Sequence, residues 1–287
     1  MVGLGRMGGN MAERLRRKGH EVVGYDRDPE VSQVATLADL VGALDPPRVV
    51  WVMVPAGEPT RATIAQLAGL LAPGDLVVDG GNSNYRESIA RSQELGRAGI
   101  GFVDAGVSGG IWGLENGYGL MVGGADEHVA VVRPVLEALA PDGGVGLAHV
   151  GPPGAGHFTK MVHNGVEYGL MQAYAEGFEL LCASELGIDV QGAIEAWRHG
   201  TVVRSWLLDL LALALEGDPG LSRIKGWAED SGEGRWTVEE AVRLAVPVHV
   251  IAAALFARFA SRQDDSPAMK VIAALRQQFG GHAAVQL

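Results

Sequence analysis

Cysteine is almost absent from the sequence. The single thiol in 287 residues, Cys182, excludes an internal disulfide framework and fits a reducing, cytoplasmic setting. No run of about 18 or more apolar residues occurs and no basic-then-apolar leader opens the chain, so neither a membrane span nor a signal peptide is expected. Cationic side chains are in short supply, with 23 Lys plus Arg against 34 Asp plus Glu and a net charge of −11. That balance argues against nucleic acid as the main partner, while leaving room for a local basic pocket around an anionic substrate. There is no internal repeat and no Gly/Ser tract. What is present is globular: 47% apolar residues rule out disorder, and the length suits one large domain or two modest ones. Forty-two scattered glycines point to tight turns and close backbone approaches.

The first half alternates short β-branched runs with segments of helical period. Glu21–Asp26, Arg48–Val54, Leu76–Asp79 and Ile100–Asp104 read as strands, with Gly119–Val122 and Val145–Val150 extending the series. Met7–Lys18, Thr60–Leu71 and Glu127–Leu139 read as helices between them. This βαβ rhythm, with strands that lack polar alternation, predicts a parallel sheet with helices on both faces. After Gly151-Pro152-Pro153-Gly154 the rhythm becomes purely helical, which places a domain boundary there. The fold class expected is α/β: a Rossmann-type doubly wound sheet over residues 1–152, then an all-helical substrate-binding and oligomerisation domain over 153–287. Residues 155 to about 186 read as one helix of roughly 45 Å, stopped near Gly187. Val190–His199, Val203–Glu216, Val238–Val246, His249–Ser261 and Pro267–Phe279 follow as helices, and 232–234 read as an exposed loop. Cys182 reads as a core residue, and the six tryptophans as packing and interface residues.

The chain opens with Gly3-Leu4-Gly5-Arg6-Met7-Gly8, a Gly-x-Gly-x-x-Gly turn leading into a helix. Context gives this weak hexapeptide its weight, because the next strand ends in an acid, Asp26. Gly3 permits the turn, Gly5 lets backbone approach a pyrophosphate, Gly8 lets helix and strand pack, and the helix N-terminus offers free N–H groups. Only Met1 and Val2 precede Gly3, so the first strand is expected to be clipped or to lack residues. Asp26 can accept hydrogen bonds from ribose hydroxyls and would repel a 2′-phosphate, which favours NAD over NADP; Arg27 beside it could pair with that phosphate or lie solvated.

Lys160, His163, Asn164, Glu167 and Tyr168 stand at i, i+3, i+4, i+7 and i+8, one face of a helix. Spacing alone allows an ordinary charged surface. The glycines at 151, 154 and 156 and the apolar remainder of the helix favour a packed site instead. A partly desolvated lysine can accept a proton from an alcohol during hydride loss, and a glutamate two turns on can later donate one.

These residues resemble the 6-phosphogluconate dehydrogenases. The resemblance runs through Gly3–Asn10, Asp79–Asn84, Val107–Gly110, Gly154–Tyr168, Val203–Ser205, Gly234–Thr237 and Arg276–His282, and the chain length is similar to the short bacterial form. It implies NAD(P)-dependent oxidation of 6-phosphogluconate at C3 with Lys160 as base, loss of the C1 carboxylate, and protonation by Glu167, with His163 and Asn164 beside them and no metal. It further implies a nicotinamide-side loop at Val54, Pro55 and Ala56. Asn82 would serve both cofactor and substrate, and Ser108, Gly109, Gly110, His163, Asn164 and Tyr168 would contact the sugar acid. Arg204, Arg276 and His282 would lie near its phosphate, the last two supplied by a neighbouring subunit of a dimer or tetramer. Ser231 and Glu233 depart from the family pattern, where relatives carry a lysine and a threonine facing the phosphate. The residues have plainer readings too: Asn82 and Asn84 as turn formers in left-handed geometry, Ser108–Gly110 as a turn or an anion nest, Arg204 paired with Asp209, and His282 as a chain end. A β-hydroxyacid dehydrogenase without decarboxylation and a non-catalytic nucleotide sensor are the competing functions; the first predicts an asparagine pair after the lysine, the second the loss of Lys160 or Glu167.

Overall fold

A computed structural model describes residues 1–280, with side chains through Gln278. The chain divides into two compact units, Met1–His163 and Asn164–Leu287. In the first, five strands lie in the order β1 (Val49–Val52), β2 (Leu76–Asp79), β3 (Gly101–Ser108), β4 (Gly119–Gly124) and β5 (Leu147–Gly151). Its helices are α1 (Arg6–Arg17), α2 (Leu37–Gly42), α3 (Glu58–Ala68), α4 (Tyr85–Arg97), α5 (Gly113–Asn116) and α6 (Asp126–Leu139). Helix α7 (Ala155–Cys182) starts in this unit and continues into the second, where α8 (Val190–Arg198), α9 (Trp206–Gly217), α10 (Glu233–Leu244), α11 (His249–Ala260) and α12 (Pro267–Gly280) follow.

The doubly wound sheet follows from residue alternation. Trp51, Leu76, Val78, Val103, Ala105, Leu120 and Val122 bury against Met11, Ala12 and Leu15 of α1 and Val129, Val132 and Leu136 of α6. Val50, Val52, Val77 and Phe102 point the other way, onto Leu40 of α2, Ile64 and Leu67 of α3 and Leu95 of α4. Residues 1–3 act as a short parallel strand beside β1: Val2 N–H donates to Trp51 and Met53 N–H to Val2. On its other side Tyr25 pairs with Val2, the N–H of Tyr25 reaching the Met1 carbonyl. Thus the strand expected over Glu21–Asp26 shrinks to one bridge at Tyr25, since its partner segment is only three residues long. A second correction concerns direction. β4 runs antiparallel to β3, because the connection over residues 109–118 is too short for a parallel crossover. β3 also extends four residues past Asp104, to Ser108.

The second unit has two apolar centres. Ile194, Leu208, Ala212 and Leu215 join α8 to α9 under Tyr174 and Phe178 of α7. Tyr168, Ala254 and Leu255 form the other, with Val238 and Phe259. The loop expected at 232–234 is instead the start of α10: Glu233 and Gly234 are buried, and Tyr168 lies so close that a Cβ at Gly234 would be 2.5 Å from its ring. Cys182 is exposed rather than core, because it is the last residue of α7. Gly187 takes the left-handed conformation (φ 64°), but the helix expected to run to it stops five residues earlier, at Cys182. Among the described residues no helix is long and apolar enough to cross a membrane.

The buried Asp230 fastens the second unit. Its carboxylate accepts from Arg235 and from Arg262 Nη1 at 2.7 Å, and the Arg235 guanidinium, followed by that of Arg262, holds its pKa down at about 2. A group whose folded pKa lies below its unfolded value stabilises in full above about pH 4 and loses that contribution as pH falls towards 2. Asp230→Asn is therefore expected to lower the melting temperature by several degrees at neutral pH, with the gap to the parent protein closing near pH 2; a constant gap across that range would refute the assignment.

Candidate active site

The glycine turn is built as the sequence predicts. Gly3 has φ 89°, and a Cβ there would lie 2.5 Å from the Met53 carbonyl oxygen; a Cβ on Gly8 would lie 2.0 Å from the Gly3 oxygen. Both positions exclude a side chain. Gly5 differs, since a Cβ there meets nothing within 4 Å, which leaves open space where α1 begins without a side-chain cap. Unpaired N–H groups facing open space are what a pyrophosphate needs. Gly3, Gly5, Asp26, Arg27, Val54 and Pro55 line one cleft of about 430 Å³, and Leu4, Arg6 and Met7 complete the turn beside it. Ala56 follows, exposed in the same loop as Pro55. Asp26 is fixed at the cleft end: Leu4 N–H donates to Oδ2 at 2.6 Å and Asp28 N–H to Oδ1 at 3.0 Å. The Asp28 N–H, and then that of Leu4, hold its pKa below the usual carboxylate range, so it meets a ligand as an anion. Arg27 is exposed.

The turn after β2 is organised by Asp79. This fully buried carboxylate accepts from Gly81 N–H at 3.2 Å, Ser83 Oγ at 2.8 Å and Arg91 Nη1 at 2.9 Å, and Arg91 also binds Glu87. Asn84 caps α4, its Oδ1 accepting from Arg86 N–H at 3.0 Å, and Asn82 is exposed on the turn. Left-handed geometry does not account for these asparagines; among the described residues the non-glycine positions with positive φ are Leu221 and Ala245.

Strand β3 carries the other half of the first unit's site. Residues 104, 106 and 108 share one of its faces. Asp104, fully buried, accepts from Gly154 N–H (2.6 Å) and His157 N–H (2.8 Å) at the start of α7, and its burial pushes its pKa up. A Cβ on Gly106 would lie 2.4 Å from Lys160 Cβ, so only glycine lets that lysine stand against the strand. Ser108 ends the strand, and Gly109 (φ 132°) and Gly110 (φ 54°) turn the chain into a short 3-10 helix over Gly110–Trp112. Lys160 is buried, with Nζ 3.5 Å from Nδ1 of the exposed His163. Next to it His157 is buried with Nδ1 2.7 Å from Ser88 Oγ, while its Nε2 has no hydrogen-bond partner among the described residues.

Further along α7, in the second unit, Asn164 and Tyr168 are buried and Glu167 is half-buried. The face is therefore no charged solvent surface. Tyr168 accepts from Ser231 N–H at 3.3 Å and stacks under the Arg258 guanidinium, 3.5 Å from the ring centroid. Glu233 accepts from Ser231 Oγ. Arg204 is exposed in the loop before α9; Asp209, its expected partner, pairs with Arg198 at 2.8 Å. Arg276 is exposed on α12, and His282 lies outside the described residues. Sequence reasoning missed Asp104, His157, Asp79 with Arg91, and Arg258. The available signal was an acid or base within an otherwise apolar run, which must find a partner if buried. Among the described residues no group of three His, Cys, Asp or Glu side chains is placed to hold a metal ion.

Comparison with known proteins matches both halves of the chain. The family model for the NAD binding domain of 6-phosphogluconate dehydrogenase matches residues 1–151, and that for the C-terminal domain of the enzyme matches 156–279. An NAD(+)-dependent, decarboxylating 6-phosphogluconate dehydrogenase of Haloferax volcanii is 42% identical over 98% of this chain and 96% of its own length. Among solved structures, Plasmodium falciparum 6-phosphogluconate dehydrogenase, known with its cofactor NADP+ and with its substrate 6-phosphogluconate, superposes with a TM-score of 0.84 at 27% identity. It covers all of this chain, which spans 65% of that one. A Mycobacterium tuberculosis 3-hydroxyisobutyrate dehydrogenase gives 0.71 at 26% identity, over 96% of this chain and 97% of that one. With both domain models matched and 42% identity across nearly the whole length, the chain, a nicotinamide-dependent oxidoreductase, belongs to the 6-phosphogluconate dehydrogenase family.

Proposed function

We propose that the protein converts 6-phosphogluconate to ribulose 5-phosphate and CO2, with NAD preferred to NADP. The observation that carries this reading is the buried Lys160, packed on Gly106 of β3, with Glu167 two turns further along the same helix. Bound nicotinamide supplies the hydride acceptor. Lys160 takes the proton of the C3 hydroxyl as hydride leaves, and then, as an ammonium, stabilises the charge that develops on the ketone oxygen when the C1 carboxylate is lost. Glu167 delivers a proton to C1 of the enediol. His163 and Asn164 orient the groups at the reacting carbon, and Asn82, Ser108, Gly109, Gly110 and Tyr168 hold the sugar acid. The Glu167–Tyr168 pair and Arg276 favour this reaction over the hydroxyacid alternative. In the assembled enzyme, a cytoplasmic homodimer or tetramer, Arg276 and His282 complete a neighbour's site.

At the phosphate end Arg258 adds to the residues named from the sequence. The single charge of Asp230 is shared between Arg235 and Arg262. Among the described residues the partners of Arg258 are the Glu229 carbonyl, Met171 Sδ and the Tyr168 ring, none of them a carboxylate. We therefore take Arg258 as a further guanidinium to receive the phosphate beside Tyr168. A charge-assisted hydrogen bond is worth about 1.5–3 kcal/mol, roughly ten- to a hundredfold in affinity. Arg258→Ala should raise KM for 6-phosphogluconate by that factor and leave KM for NAD within about twofold; an unchanged substrate KM would move the phosphate elsewhere.

The direct assay supplies 6-phosphogluconate and 3-hydroxyisobutyrate, each with NAD and NADP, and records reduced cofactor and CO2 together. One CO2 per reduced cofactor is expected with 6-phosphogluconate, and activity on the hydroxyacid alone would overturn the reading. Lys160→Met should abolish hydride transfer with nucleotide binding intact, a loss of about 10²-fold or more. Glu167→Gln should slow overall turnover, and an unchanged rate would reassign the acid. For the cofactor, the fixed anion at Asp26 opposes a 2′-phosphate, and like-charge contacts cost several kcal/mol. Asp26→Ser is expected to raise the NADP to NAD ratio of kcat/KM by at least about tenfold; no change would shift the preference to Arg27.

A further inference from the structure

Asp104 is tied to the lysine helix by geometry that the reaction scheme does not use. A helix start leaves its first N–H groups without partners. Here both oxygens of one carboxylate, 50 residues earlier in the chain, satisfy two of them: Oδ1 takes the N–H of Gly154, the residue before α7, and Oδ2 takes that of His157, its third residue. Two charge-assisted bonds to backbone fix the helix both along its axis and in rotation, which a cap from within its own sequence would not do relative to the sheet. Side-chain locks reinforce the seat, since the His157 ring is held by Ser88 of α4 at 2.7 Å. Glycines complete it: a Cβ at Gly156 would be 2.5 Å from the Asp104 carbonyl oxygen, and one at Gly123 would be 2.6 Å from Asp104 Oδ1. Lys160 stands one turn beyond His157, its stem against Gly106, the next residue on the Asp104 face of β3, and Ser108 follows on that face.

We propose that Asp104 is a positioning residue for the reaction: by capping α7 from β3 it sets where Lys160 Nζ stands relative to the substrate held at Ser108. The proposal rests on Lys160 being the base. Because the carboxylate reaches backbone N–H groups and not the reacting atoms, its removal acts through the helix. A displacement of about 1 Å at a reacting group costs on the order of 100-fold in rate.

The test uses the full chain with Asp104→Asn, which keeps the volume and one acceptor, and Asp104→Ala, which keeps neither. Expected is a graded fall in kcat with 6-phosphogluconate, about tenfold for Asn and about 100-fold for Ala, with the NADH dissociation constant within twofold of the parent protein. Asp104 touches no element of the glycine turn, so a general loss of structure would move both quantities together. A second readout needs no turnover: labelling of Lys160 by trinitrobenzenesulfonate, followed by mass spectrometry, should change rate in both variants, while labelling of the exposed Lys18 stays constant. Folded variants with parental kcat and parental Lys160 labelling overturn the proposal. If the parent protein does not oxidise 6-phosphogluconate, the functional reading fails on its own, and the labelling result still decides whether Asp104 sets the lysine. Should neither variant fold, amide exchange in the parent protein decides: protection at His157 N–H above that at Gly156 supports the cap, and equal exchange removes it.

Discussion

Everything at the site depends on how closely one helix can approach one strand. Lys160 can be buried beside β3 only because Gly106, Gly123 and Gly156 remove three side chains from the contact, bringing helix backbone within van der Waals distance of strand backbone. Such an approach puts unpaired N–H groups of a helix start into a region from which water is excluded, and each would cost about 1–3 kcal/mol if left bare. Asp104 answers that cost. The same burial makes the free carboxylate expensive, which is why its pKa is pushed up, while the two N–H groups and the adjacent His157 act in the opposite sense. Neither the glycine contact nor the carboxylate would be tolerable without the other.

The nucleotide end uses the same economy of side chains. Gly3 and Gly8 are steric necessities of the turn, but Gly5 is not crowded, and its missing side chain leaves the start of α1 open. An anion there meets backbone N–H groups and the positive end of the helix dipole. Asp26 at the far end of the same cleft presents a fixed negative charge, held ionised by Asp28 and Leu4 N–H groups. One cleft thus has an uncapped helix start at one end and a fixed carboxylate at the other.

Much of this was legible in the residues. The glycine turn, Asp26 and the polar face from Lys160 to Tyr168 are local patterns with fixed spacing, and β2, α6, α8 and α11 fall within a residue or two of the predicted bounds. What could not be read depended on distant pairing. The direction of β4 is set by its neighbour rather than by its own apolar run. Residues 232–234 look like a polar loop by composition, yet become a buried helix start because Tyr168 covers Gly234 and Ser231 bonds Glu233. Asp104 looked like the end of a strand. Its role is visible only once the chain returns 50 residues later with two N–H groups to satisfy. Arg258 sits inside an apolar helix and declares itself only through the Tyr168 ring it covers.

Charge is spent locally in a chain that is acidic overall. With a net charge of −11, long-range attraction cannot gather an anionic substrate, so recognition must come from groups at contact distance, where screening by salt is weak. In the second unit Asp230 ties α10 to the turn just after α11, through Arg235 and Arg262. Arg258, on α11 between those fastened points, keeps its charge over an aromatic ring, an environment that orients a cation without neutralising it. An acid in the loop before α10, which by charge alone would oppose an anionic substrate, anchors through Arg262 the end of the helix that lays Arg258 over the Tyr168 ring.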